Sequence, residues 1–110
     1  MINSDLTMSE GKKISQVSHA LIETLDVARN DYPERFFGYR HDPPGTKLVL
    51  KATEREIRNL LEKAEDLNLP CYLMIDSPPT TEGTEHKVTS AGFGPLTSKE
   101  SRLLRKQSLL

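Results

Sequence analysis

The sequence predicts an α/β fold, a single small domain in which short apolar strands alternate with amphipathic helices around a mostly parallel or mixed sheet. Three observations carry this. Apolar residues recur at spacings of three and four over residues 11–30 and 53–68, compact apolar runs stand at 47–51 and 71–76 with a further strand-like segment at 86–91, and turn formers separate them. A chain of 110 residues also holds one modest hydrophobic core and is too short for two.

The strand expected before the first helix has only Met1-Ile2-Asn3 to build it, where about five or six residues are usual, so the first strand is short or truncated. In the first helix Ile14, Val17, Leu21, Leu25 and Ala28 form one stripe, which is expected to face the core. Asp31-Tyr32-Pro33 ends it, because proline disfavours helical geometry in the residue before it. Residues 33–45 mix aromatics with turn formers and read as a short irregular or helical piece closed by the turn Asp42-Pro43-Pro44-Gly45. Lys47-Leu48-Val49-Leu50-Lys51 has the pattern of a strand buried on both faces.

Thr53 and Glu56 make a capping box, and Ile57, Leu60, Leu61, Ala64 and Leu67 continue at helical spacing. Cys71 to Asp76 is apolar on both alternating sets and reads as a central strand. Residues 77–85 are rich in Pro, Thr and Gly and predict a loop; His86 to Ala91 predicts a last strand, ended by Gly92-Phe93-Gly94-Pro95. A second capping box, Thr97 with Glu100, starts a short helix in a C-terminal tail, residues 96–110, outside a domain of residues 1–95.

No apolar run approaches the roughly 18 residues of a membrane span, so no membrane association is expected. One cysteine, Cys71, forms no internal disulfide, and the first residues lack the pattern of a signal peptide. A reducing compartment, the cytoplasm, is the expected home. Net charge of -1 gives no global attraction to a polyanion, which would need a local patch. Cys-x-x-Cys, His-Glu-x-x-His, P-loop and Gly-x-Gly-x-x-Gly patterns are absent, so zinc, nucleoside-triphosphate and dinucleotide sites have no support.

Two places remain for chemistry. Lys12, Gln16, His19 and Glu23 lie within roughly 60° of one another on the first helix, nearly opposite the aliphatic stripe, and are expected to form a ridge facing away from the core. Lys12 is a cation in a first turn, where the helix dipole favours an anion, so an anion partner is expected beside it. Asp76 stands at the C-terminal end of a strand, the edge at which α/β sheets bind ligands, with Thr80, Thr81 and Thr84 in the loop that follows. Cys71, inside an apolar strand, reads as a small core residue.

Residues 3–12, Asn-Ser-Asp-Leu-Thr-Met-Ser-Glu-Gly-Lys, then Gln16 and Ser18-His19-Ala20, Lys47-Leu-Val-Leu-Lys51, Leu67-Asn-Leu-Pro70, Ile75-Asp76 and Gly92-Phe-Gly-Pro95 follow in one register. This series resembles the type 2 peptidyl-tRNA hydrolases over about residues 3–95. The resemblance implies a four-stranded mixed sheet between helices, often in a homodimer. It also implies a metal-independent enzyme without cofactor that hydrolyses the ester joining a peptide to the terminal ribose of tRNA. Residue by residue it points to Lys12, Gln16 and Lys47 as tRNA-binding and to Asp76, His19 and Thr80 as catalytic. The chain departs from the family at Glu10, where a second lysine is common, and at Pro78-Pro79-Thr80-Thr81, where the family has Gly-Lys-Thr-Gln. A non-catalytic relative that binds RNA or protein through the same fold is the alternative.

Overall fold

The computed structural model describes residues 1–41, 45–76 and 86–110, the side chains of residues 40 and 41 excepted. In chain order the elements are β1 (Ile2–Asn3), α1 (Glu10–Asp31), α2 (Pro33–His41), β2 (Leu50–Ala52), α3 (Glu54–Asp66), β3 (Cys71–Asp76), β4 (Lys87–Phe93), a 3-10 helix (Glu100–Leu104) and β5 (Ser108–Leu109). The strands form one mixed sheet in the order β3-β4-β1-β2-β5. β1 and β2 pair in parallel, whereas β4 is antiparallel to β1 and to β3, so β1, β2 and β3 all point the same way. Their C-terminal ends share one edge of the sheet.

The stub strand is real: Ile2 and Asn3 alone pair with Lys51 and Ala52, and Ile2 also faces Ser90. The expected four strands become five because the tail returns to the sheet. After the Thr97–Glu100 capping interaction, in which each backbone N–H donates to the other's side chain, the chain turns and β5 pairs antiparallel with β2. β2 is shorter than the predicted 47–51 because its partners β1 and β5 each offer only two residues; Leu48 lies outside it and is exposed. β3 is an edge strand and not the central one predicted, paired with β4 alone among the described residues. The turn assigned to residues 42–45 and the loop assigned to 77–85 lie, except for Gly45, outside the described residues.

The main core lies on the face of the sheet covered by α3. Ile57 and Leu60 of α3 pack with Met1, Leu50, Ala52, Val88 and Ala91, and Leu73, Phe93, Leu103 and Leu104 close its sides. The capping box forms as the spacing predicted: Thr53 Oγ1 accepts from Glu56 N–H at 3.2 Å and Glu56 Oε1 accepts from Thr53 N–H at 3.0 Å.

α1 covers the other face, and here the predicted stripe is corrected. The buried residues of α1 are Gln16, Ala20, Thr24 and Ala28, a row at spacing four, while Ile14 is 68% exposed, Ile22 59% and Leu21 37%. Close approach decides the row. A Cβ on Gly92 of β4 would stand 1.8 Å from Thr24 Oγ1 and 2.8 Å from the Ala20 carbonyl oxygen, so α1 lies almost on the β4 backbone. Only small side chains fit beside Gly92, at Ala20 and Thr24; of the predicted stripe Ala28 is buried, Val17 and Leu25 are half-buried, and Ile14 and Leu21 are exposed.

Candidate active site

The row that packs α1 on the sheet continues one turn toward its N-terminus to Lys12. Ser9 caps this end, its Oγ accepting from Lys12 N–H at 3.2 Å, and Glu10 supplies the acidic first-turn residue that the helix dipole favours. From there Lys12 Nζ reaches Asp76 Oδ2 at 3.2 Å. The sheet puts Asp76 in that position by alternation. Met74 pairs with Ser90, whose hydroxyl donates to the Gln16 carbonyl on α1, so Met74 and, two residues on, Asp76 point to the same face.

The Asp76 side chain is 12% exposed and that of Lys12 31%, so the pair is sheltered well beyond an ordinary surface ion pair. It sits at the edge where β1, β2 and β3 end, beside a helix N-terminus, which together favour an anionic ligand or a developing negative charge. A carboxylate held by an ammonium in such a place can orient a water and accept its proton.

Gln16 lies one turn below Lys12 and is held from two sides. Its Oε1 accepts from Thr89 Oγ1 at 2.7 Å, and its carbonyl accepts from Ser90 Oγ at 2.9 Å. Two consecutive residues of β4 reach the same helix because of a β-bulge: Met74 pairs with Ser90 but Ile75 with Val88, leaving Thr89 as the extra residue. The bulge turns Thr89 to α1 and Val88 into the main core. Gln16 is therefore part of the helix–sheet interface, not of a ridge opposite the core.

His19 is exposed on α1. Lys47 precedes β2, at the edge of the sheet opposite to that of Asp76; its Nζ donates to the Gly45 carbonyl at 2.8 Å and stands 5.4 Å from the centre of the Tyr39 ring. Thr80 lies outside the described residues. Burial pushes the Cys71 thiol up to about 11, which keeps it protonated at neutral pH and suits a structural residue.

The sequence is similar to known proteins. A family model described as peptidyl-tRNA hydrolase PTH2 matches residues 1–107. The peptidyl-tRNA hydrolase of Thermococcus sibiricus is 32% identical over 95 residues, which cover 86% of this chain and 80% of the relative. That of Thermococcus onnurineus is 30% identical with the same coverage, and that of Methanocaldococcus jannaschii 29% over 97 residues, 86% of this chain and 82% of the relative. The chain belongs to the PTH2 peptidyl-tRNA hydrolase family. In this member, as in any mixed sheet with a bulge, the partners of a helix cannot be read from alternation alone. The sequence carries one signal for Thr89 and Ser90, two adjacent hydroxyl residues between the apolar Val88 and Ala91.

Proposed function

We propose that this chain hydrolyses the ester bond of peptidyl-tRNA, releasing free tRNA and peptide, with Asp76 as the base and Lys12 as its partner. The Lys12–Asp76 pair at 3.2 Å, on the ligand-binding edge of the sheet, carries this reading, and membership of the family supports it. Asp76 takes the proton of a water as the water oxygen attacks the ester carbonyl carbon, and returns it to the departing ribose oxygen. Lys12 orients the Asp76 carboxylate and offers positive charge to the terminal phosphate of the tRNA. Gln16, fixed by Thr89, keeps the first turns of α1 in register with β4, the strand that pairs with β3. Thr80 or a backbone N–H steadies the oxyanion of the tetrahedral intermediate, and His19 is the alternative base. Lys47 contacts a phosphate of the tRNA body, away from the ester.

The reaction needs no metal in this proposal and takes place in the cytoplasm. The aliphatic residues that α1 turns outward, Ile14, Leu21 and Ile22, support a homodimer through that face. Sedimentation velocity checks it: Ile22→Asp shifts a dimer to monomer, and a wild-type chain that sediments as a monomer at micromolar concentration removes the proposal.

Release of tRNA from an N-blocked aminoacyl-tRNA, with and without EDTA, tests the mechanism. Asp76→Ala is expected to lower turnover by about 10²–10⁴ while tRNA binding persists, and chelation to change nothing. Unchanged turnover in Asp76→Ala would remove Asp76 from the reaction.

A further inference from the structure

Across the sheet from Lys12 and Asp76, α3 and the returning tail enclose an open groove of about 850 Å³. Five of the chain's fifteen lysines and arginines line it: Lys63 on α3 and Lys99, Arg102, Arg105 and Lys106 on the tail. In a chain of net charge -1 this is a concentrated positive surface. Among the described residues none of the five is in an ion pair. The two carboxylates of the groove are engaged elsewhere, Glu56 by Thr53 and Gln107, and Glu100 by Arg35 and Thr97. The groove is also apolar: Leu67 is 61% exposed and Leu103 half-buried along it.

We propose that this groove docks an acidic amphipathic peptide segment of a partner protein, with its carboxylates against the five cations and its apolar side chains on Leu67 and Leu103. Charge complementarity selects an anion, and the exposed leucines select among anions. A phosphate backbone has no apolar face to lay on Leu67, and among the described residues no aromatic side chain lines the groove on which a nucleic-acid base could stack. From Glu56 to Leu67 the groove follows twelve residues, most of α3 and its C-terminal cap, a rise of roughly 16 Å, which matches about three turns of a docked helix.

The test is fluorescence anisotropy on the full chain with three labelled probes: a 14-residue peptide with Glu and Leu on opposite helical faces, the same peptide with Gln for Glu, and a 12-nucleotide single-stranded RNA. The acidic peptide is expected to bind, more weakly as salt rises, and at least about tenfold more weakly to Arg102→Glu/Arg105→Glu. Lys99→Gln/Lys106→Gln, less disruptive to folding, shifts affinity the same way by a smaller factor, and Leu67→Asp weakens binding about threefold or more. Hydrolysis of N-blocked aminoacyl-tRNA stays unchanged in all three variants, which separates this surface from the reaction at Asp76. Acidic-peptide affinity that none of the variants alters overturns the proposal. So does RNA that binds more tightly than the peptide and is lost in the charge-reversed variant, an outcome that assigns the groove to nucleic acid.

Discussion

The two faces of the sheet bury different kinds of side chain against their helices. Under α3, Ile57, Leu60 and Ala64 meet Leu50, Ala52, Val88 and Ala91, an aliphatic contact whose energy comes from apolar area removed from water. Under α1, Gln16, Ala20, Thr24 and Ala28 meet Thr89, Ser90 and Gly92, so the helix comes close and hydrogen bonds fix its register. The first contact is forgiving in direction because apolar attraction is non-directional. The second is directional, since a buried Gln and two buried hydroxyls are favourable only when each meets its partner. What this teaches is a division of labour: α3 holds the sheet together, and α1 sets where Lys12 stands relative to Asp76.

The comparison can be broken at either face. Ile57→Ala, at a fully buried position, is expected to cost about 2–5 kcal/mol in chemical denaturation while leaving turnover per folded molecule near wild type. A loss of activity larger than the loss of folded protein would show that the α3 face also tunes the site.

Gly92→Ala acts on the other face. Its methyl group would overlap Thr24 Oγ1 and the Ala20 carbonyl, so α1 must shift, at about 1–3 kcal/mol. Turnover should fall by more than stability accounts for, because the displaced helix carries Lys12 away from Asp76. Thr24→Ala in the same chain removes the closest of the three overlaps, that with Oγ1, while those with the residue-24 Cβ and the Ala20 carbonyl stay, so part of both stability and turnover is expected to return; denaturation midpoints and tRNA-release rates measured on the single and double variants decide it.

The smallest effect concerns the junction between α2 and the tail. Arg35 grips Glu100 with both guanidinium nitrogens and donates to the Pro95 carbonyl. The Arg35 guanidinium holds the Glu100 carboxyl down at about 2, against an ordinary 4.5. A carboxyl with a depressed folded-state pKa adds stability above its unfolded value and loses it as pH falls. The contribution is therefore complete above about 4.5 and disappears toward pH 2. Denaturation midpoints of Glu100→Gln should decline less steeply than wild type over that window; parallel curves would mean that the pair contributes nothing.

Much of the architecture was legible in the chain. The capping boxes at Thr53–Glu56 and Thr97–Glu100 form where the spacing placed them, and β3 spans the predicted residues. Asp76 was legible as a strand-end carboxylate, and Lys12 as a cation awaiting an anion; the ion pair joins the two. The face of α1 was not legible. Periodicity assumes that the largest apolar residues mark the buried side, whereas here Ala20 and Thr24 are buried because Gly92 brings the helix too close for larger side chains, and Gln16 is buried because Thr89 and Ser90 bind it. β5 was equally hidden, since two exposed residues, Ser108 and Leu109, carry no strand pattern of their own and become a strand only by pairing with β2.

By itself, then, the sequence determined the elements, their order and the residue types at the sheet edge, because caps, turn formers and apolar spacing act within a few residues along the chain. Tertiary structure decided which side of α1 is inside, how Thr89 and Ser90 both reach Gln16, and that Lys47 lies away from Asp76. Those outcomes depend on distances between segments far apart in sequence: the contact of Gly92 with Thr24, the bulge beside Met74 and Ile75, and the shared direction of β1, β2 and β3.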